Sequence, residues 1–176
     1  NEETFVPLRG TGIEAEERES RLLSAFDTPG SAYGVAVVGN YAFVADYGSG
    51  LIIADITDLE NPEELGSLDT PGHAHKVTVS GNYAYISDAG SGMRIIDISN
   101  KPNPEEVGYY DTPGGVSQGA KNIIIVDEYA FVANDGSGLI VIDVSDHDNL
   151  DIVGVQDTPG AAWNHDISGN YAYIAD

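Results

Sequence analysis

From residue 21 to the end of the chain, short apolar runs of β-strand length alternate with breaks rich in glycine, proline and asparagine. One unit shows four such runs: Tyr33 to Val38 (A), Tyr41 to Asp46 (B), Leu51 to Ile56 (C) and Glu64 to Leu68 (D). Run C differs from the others. Leu51-Ile52-Ile53-Ala54 and Leu139-Ile140-Val141-Ile142 are apolar at successive positions, so a strand made of them has no face for water. The short breaks make neighbouring strands antiparallel. An antiparallel sheet that is dry on both faces needs another sheet on each side, which radial stacking of blades supplies. A solenoid would also stack, but with parallel strands and without the hairpin turns.

The unit recurs. Asp-Thr-Pro-Gly stands at Asp27 to Gly30, Asp69 to Gly72, Asp111 to Gly114 and Asp157 to Gly160, and Tyr-Ala-aromatic begins at Tyr41, Tyr83, Tyr129 and Tyr171. The period is about 42 residues, which marks a propeller, a solenoid or an array, and the third unit carries an insertion between Gly114 and Ile123. A and B are joined by Gly39-Asn40, Gly81-Asn82 and Gly169-Asn170, a glycine-first hairpin signal. The third unit has Asp127-Glu128 there, which predicts a different turn. B and C meet through Gly48-Ser49-Gly50 and its copies, where paired glycines permit positive φ. Thr28-Pro29-Gly30 fits a type II turn, with glycine at the position of positive φ.

These signals predict an all-β protein built of β-propeller blades of four antiparallel strands, three complete blades plus parts of a fourth. Residues 1–20 read as an acidic arm or linker and residues 21–176 as propeller repeats: an orphan D strand at 21–26, blades at 27–68, 69–110 and 111–156, and a partial blade at 157–176. The strand missing from the fourth blade is a C strand, and leaving its place open would expose an apolar sheet edge. The reading therefore expects a longer natural chain in which residues 22–26 pair as the outermost strand of that blade. The alternative is self-association through the incomplete blade, or completion by a neighbour in an assembly.

Leu51-Ile52-Ile53-Ala54-Asp55, Met93-Arg94-Ile95-Ile96-Asp97 and Leu139-Ile140-Val141-Ile142-Asp143, each following a Tyr-Ala strand in phase, resemble the LVIVD-repeat family. The resemblance covers roughly residues 22–176. It implies a propeller-like protein, exported or at the cell surface of bacteria and archaea, with no general activity attached. Extracellular or cell-surface location is the expectation, and a first residue of Asn1 in place of Met agrees with a processed amino terminus.

Charge narrows the partners. Acidic side chains number 29 against 7 basic ones, a formal net charge of −22, which repels phosphate backbones and anionic headgroups. No nucleic-acid partner is expected, whereas cations, basic proteins and glycans fit. There is no cysteine, hence no disulfide and no thiolate site. No run approaches the ~20 apolar residues of a membrane span, so no transmembrane segment is expected.

In an A-B-C-D meander the D–A and B–C connections emerge on one face. That face receives Asp27, Asp69, Asp111 and Asp157 from the D–A turns, and Asp46, Asp88, Asp135 and Asp176 from the B–C turns. Carboxylates gathered in this way suit calcium, a hard cation that takes oxygen ligands, with Asp46, Asp88, Asp69 and Asp111 as the candidate set. A turn aspartate also commonly bonds nearby backbone N–H groups. Three residues past each Pro-Gly, allowing for the insertion, stand Tyr33, His75, Lys121 and Trp163, which share no chemistry although everything around them repeats. Strand A is innermost in a propeller, so these side chains would ring the channel mouth with His73, Lys76, Asn164 and His165. They form the candidate ligand site. The face thus predicts a non-catalytic binding or scaffold module for a protein or glycan. The alternative is an enzyme or metalloprotein centred on His75 and His165. Gly48-Ser49-Gly50 lacks the order of a nucleophile elbow, and no Ser-His-Asp set stands out.

Overall fold

The computed structural model describes residues 22–112 and 119–176, and the regular structure in them is entirely β. The predicted arm at 1–20, Arg21, and the turn at Gly114 lie outside the described residues. The first blade joins β1 (Gly34–Val38), β2 (Tyr41–Ala45), β3 (Leu51–Asp55) and β4 (Glu63–Leu68). The second joins β5 (Lys76–Ser80), β6 (Tyr83–Ser87), β7 (Met93–Asp97) and β8 (Glu105–Tyr110). The third joins β9 (Ala120–Val126), β10 (Tyr129–Asn134), β11 (Gly138–Asp143) and β12 (Asp151–Gln156). In the fourth, β13 (Asn164–Ser168) pairs with β14 (Tyr171–Ala175) alone. All pairings are antiparallel between consecutive strands. The inner strands β1, β5, β9 and β13 pack side by side in that order.

The core lies between blades, as the continuous apolar runs require. Leu51, Ile52, Ile53 and Ala54 are all buried, and so are Met93, Ile95 and Ile96. One cluster packs Phe43, Ala45, Leu51 and Ile53 of the first blade against Val77, Ile86, Ile96 and Ile98 of the second. The next packs Tyr85, Met93 and Ile95 of the second against Ile123, Val132, Ile140 and Ile142 of the third. Each such side chain contributes about 1.5–3 kcal/mol on burial, so a blade is held mainly by its neighbours.

The outer strands carry a second device. The ladders β3–β4, β7–β8 and β11–β12 each shift register by one residue beside Gly66, Gly108 and Gly154, a bulge that bends the outer strand. A Cβ at Gly66 would run into the Lys101 carbonyl of the next blade, and one at Gly108 would lie 2.5 Å from the His147 carbonyl. The loop that abuts each glycine also covers a tyrosine of the preceding blade. Lys101 Nζ lies 4.8 Å above the Tyr41 ring, and His147 meets the Tyr83 ring edge-on at 4.3 Å.

Residues 22–26 carry no strand. Three local expectations need correction. The Asp127-Glu128 turn does not differ in its first residue, since Asp127 adopts φ 52° beside 60°, 58° and 56° at Gly39, Gly81 and Gly169. Aspartate tolerates the left-handed region better than most residues. In the B–C turns only the second glycine is left-handed, at Gly50, Gly92 and Gly138; Tyr47 (38°) and Ala89 (46°) take the other positive φ. Gly30, Gly72 and Gly160 have no positive φ, so the type II reading fails. Glycine serves there because a Cβ on Gly30 would lie 2.9 Å from the Asp46 carboxylate.

Candidate functional site

The aspartates that end the B strands of the first, second and fourth blades are occupied by the D–A turns. The Thr28 hydroxyl donates to Asp46 Oδ1 and the Gly30 amide to Asp46 Oδ2, both at 2.7 Å. In the second blade Thr70 Oγ1 and the Gly72 amide donate to Asp88 at 2.7 and 2.8 Å. In the fourth, Thr158 Oγ1 and the Gly160 amide donate to Asp176, each at 2.9 Å. Each carboxylate therefore ties a D–A turn to the end of its own B strand. Burial pushes the Asp88 carboxyl up, against the opposing pull of Thr70, Gly72, Arg94 and His73.

The candidate calcium set is not brought together. Asp46 and Asp88 point into their own turns, Asp69 stands exposed, and Asp111 Oδ1 accepts from Arg94 Nη2 at 2.7 Å. Arg94 is buried where the other blades have Ile52 and Ile140, and it also donates to the Ser91 carbonyl at 2.7 Å. Among the described residues, no group of three or more His, Asp or Glu side chains is placed to hold a metal ion. Asp135 is not the counterpart of Asp46 and Asp88: Asn134 is. Its side-chain N and O and the Thr112 hydroxyl are buried without hydrogen-bond partners among the described residues. Asp135 instead pairs with Lys121, Oδ2 to Nζ at 3.5 Å.

The aligned, non-repeating residues meet in two pairs. Tyr33 stacks on His75 with ring centroids 5.4 Å apart and on Tyr47 at 4.9 Å, and Tyr47 meets His73 edge-on at 4.2 Å. Between the third and fourth sheets, Lys121 Nζ lies 4.8 Å above the Trp163 ring. Tyr33 and Trp163 remain 61% and 59% exposed. Burial, then the nearby Lys121 and His73, hold His75 below its ordinary pKa, so the imidazole stacks in its neutral form at neutral pH. Just inside the ring, Lys76 Nζ donates to Asn122 Oδ1 at 3.0 Å and lies 3.4 Å from Asn164 Oδ1, while Asn122 Nδ2 donates to Asn164 Oδ1 at 2.7 Å. Gly34 is the first-blade counterpart of these three, and a Cβ there would lie 2.8 Å from the His75 carbonyl oxygen and 3.0 Å from Lys76 Cα, so the backbone of the second blade leaves no room for a side chain.

His165 has a different place. It is 5% exposed, with Nδ1 3.4 Å from Asn122 Nδ2 and Nε2 without a hydrogen-bond partner among the described residues. Its counterparts are Val35, Val77 and Ile123, so it is an interblade position and not part of the exposed ring that includes His75. Sequence reasoning missed Tyr47 and Asn122. Tyr47 could have been found by the same contrast that exposed Tyr33, because Ala89 occupies its position in the second blade and Asp135 in the third. Its backbone bonds Ala74 of the next blade in both directions, at 2.8 and 3.1 Å, which fixes the ring over the mouth.

A family model described as LVIVD repeat matches the chain four times in succession, over residues 29–70, 71–112, 118–158 and 159–176. No curated protein matches the chain. Among solved structures, the chain is similar to the crystal structure of the computationally designed Ika4 protein, with 10% identity and a TM-score of 0.69 over 88% of this chain and 91% of that one. It is also similar to the computationally designed Ika8 protein, with 8% identity and a TM-score of 0.65 over 81% of this chain and 42% of that one. At such identities the likeness concerns the fold alone.

Proposed function

The chain belongs to the LVIVD repeat family, and from that premise we propose that it is a non-catalytic binding module, exported or displayed at the cell surface, which meets a protein or glycan partner with its D–A and B–C loop face. One observation carries this reading. On a frame whose turns repeat from blade to blade, Tyr33, His75, Lys121 and Trp163 occupy equivalent positions with unrelated chemistry, and two of them stay well exposed. A single asymmetric partner touched by several blades at once selects for that pattern, whereas turn geometry selects for sameness. Exposed Tyr and Trp faces suit both sugar rings and peptide side chains.

The test is a screen of the whole chain against glycan and peptide arrays, repeated with the H75A/W163A double variant. A ligand retained by wild type and lost by the double variant supports the reading. Binding should also survive chelation, because the ring offers aromatic and amide groups. A ligand held equally by both proteins places the site elsewhere and overturns it. Antibody labelling of intact cells that make the protein tests the location.

A further inference from the structure

We propose that the inner rim of the channel mouth binds a carboxylate carried on a sugar ring, so that the ligand of the loop face is an acidic glycan of the uronic-acid class. This rests on the loop-face reading for where the ligand lies and adds its chemistry. After residue 21 the chain has four Lys and Arg side chains, Lys76, Arg94, Lys101 and Lys121. Arg94 and Lys121 are paired with carboxylates, and Lys101 lies over the Tyr41 ring. Lys76 is held by amide oxygens instead: Nζ donates to Asn122 Oδ1 at 3.0 Å and lies 3.4 Å from Asn164 Oδ1. These contacts join the inner strands β5, β9 and β13, and the second and third blades each have a described neighbour on both sides.

The hydrogen bonds fix what this cluster still offers. Asn164 Oδ1 accepts from Lys76, from Asn122 Nδ2 at 2.7 Å and from the His165 amide at 3.1 Å. An amide whose oxygen is used inward presents its Nδ2 donors outward, and both Asn164 and Lys76 are exposed. A lysine ammonium has three donors, and two are directed at the amide oxygens. The exposed rim therefore offers donors, Lys76 Nζ and Asn164 Nδ2, and its complement is an oxyanion. The net charge of −22 opposes a dianion more than a monoanion, which favours a carboxylate over a phosphate. At physiological ionic strength that long-range repulsion is screened beyond about 8 Å, and nearer than that the donors decide. Position selects the sugar. Lys76 follows His75 in sequence, Asn122 follows Lys121 and Asn164 follows Trp163, so the donors stand one residue inside the ring, about 3.8 Å away between Cα atoms. A uronic acid carries its carboxylate directly on the pyranose ring, so the sugar meets the aromatic faces while the carboxylate reaches the donors. An Asp or Glu side chain has no ring to lay there.

The experiment titrates the whole chain with glucuronate, glucose and acetate and follows the side-chain amide signals of Asn122 and Asn164 by nuclear magnetic resonance, with the variants Lys76→Met and Asn164→Asp. Both substitutions fall on exposed side chains, and thermal melts check that the variants fold. Glucuronate is expected to move both signals and to saturate, with glucose and acetate weaker by about tenfold or more. K76M is expected to lose about tenfold or more in glucuronate affinity. N164D, which sets a carboxylate beside the ligand's own, is expected to lose binding, read from the Asn122 signal. Glucuronate that moves neither signal overturns the proposal. So does glucose or acetate bound as tightly as glucuronate, or full affinity in either folded variant. Should glucuronate fail while the arrays yield a neutral ligand lost in H75A/W163A, the loop-face reading stands and only the acidic sugar falls.

Discussion

The Thr70 hydroxyl donates a 2.7 Å hydrogen bond to Asp88 Oδ1, and Thr28 with Asp46 and Thr158 with Asp176 repeat the same bond. The third blade alone breaks the series, with Asn134 at the carboxylate position and the Thr112 hydroxyl left unpaired among the described residues. Hydrogen bonds to a charged group are worth about 1.5–3 kcal/mol, and a buried donor stripped of its partner costs about 1–3 kcal/mol more. Asp88→Ala should therefore destabilise by about 3 kcal/mol or more, since it abandons Thr70, Gly72 and the buried Arg94 together. Asn134→Asp should do the opposite and raise the melting temperature by about 2–4 °C, corresponding to about 1 kcal/mol in a chain of this size. A lower melting temperature for Asn134→Asp would show that the third turn is built on a different principle.

A second prediction uses three glycines that look alike in sequence. Gly66 and Gly108 sit beneath carbonyls of the following blade, whereas among the described residues a Cβ on Gly154 would meet only the Val141 side chain, at 3.8 Å. Overpacking against backbone typically costs about 1–3 kcal/mol. Gly66→Ala and Gly108→Ala should fall in or above that range by urea unfolding, and Gly154→Ala should stay within about 0.5 kcal/mol of wild type. Equal losses at all three would mean that the glycines serve strand twist and not the seating of the next blade.

How far the chain could be read in advance follows from the same repeats. The four-stranded unit, its strand order and the buried C strand were legible because they rest on period and on successive apolar residues, which act locally in each unit. Tyr33, His75, Lys121 and Trp163 stood out as a contrast, since they vary where their surroundings do not, and the fold stacks Tyr33 on His75 and sets Lys121 over Trp163. Pairings set by the distance between loops were not. The sequence places Asp46 and Asp88 on the metal-prone face, but only the fold shows the Thr and Gly donors closing over them. Likewise Asn134 and Asp135 are adjacent, and only the register of β10 with β9 and β11 decides which one takes the carboxylate position.

The third prediction separates binding from folding. Tyr33 stacks on His75, and Trp163 lies under Lys121, yet Tyr33 and Trp163 stay exposed. Alanine at His75 or Trp163 should weaken capture of any ligand found on the arrays by about 1–4 kcal/mol, the range of aromatic-centred contacts, with melting nearly unchanged. Alanine at Asn82 or Asn170, in the turns of the opposite face, should spare binding. Titration calorimetry on the four variants checks this, and equal binding losses from both pairs would put the ligand on the wrong face for the proposal.

The last prediction concerns acid. Burial holds His165 below its ordinary pKa, helped by the charge of Lys76 and opposed by the Phe131 backbone and Asp166. In the unfolded chain the same imidazole takes a proton near its reference value of about 6.5. Between that value and the lower folded one, the unfolded state binds more protons than the folded state, so stability rises with pH. The contribution is fully present above about pH 6.5 and is lost as pH falls toward the folded value. Val35, Val77 and Ile123 hold the equivalent position elsewhere, and Nε2 of His165 has no close hydrogen-bond partner among the described residues, so His165→Val should stabilise the protein by about 1 kcal/mol at neutral pH. That advantage should grow as the pH is lowered from about 7.5 to about 5.5, because the variant has no proton to exclude. His75, also held below its ordinary pKa, is present in both proteins and cancels in the comparison. Melting curves of the two proteins across this range supply the measurement. An advantage that stays flat or shrinks with acid would mean that His165 takes its proton readily in the folded state.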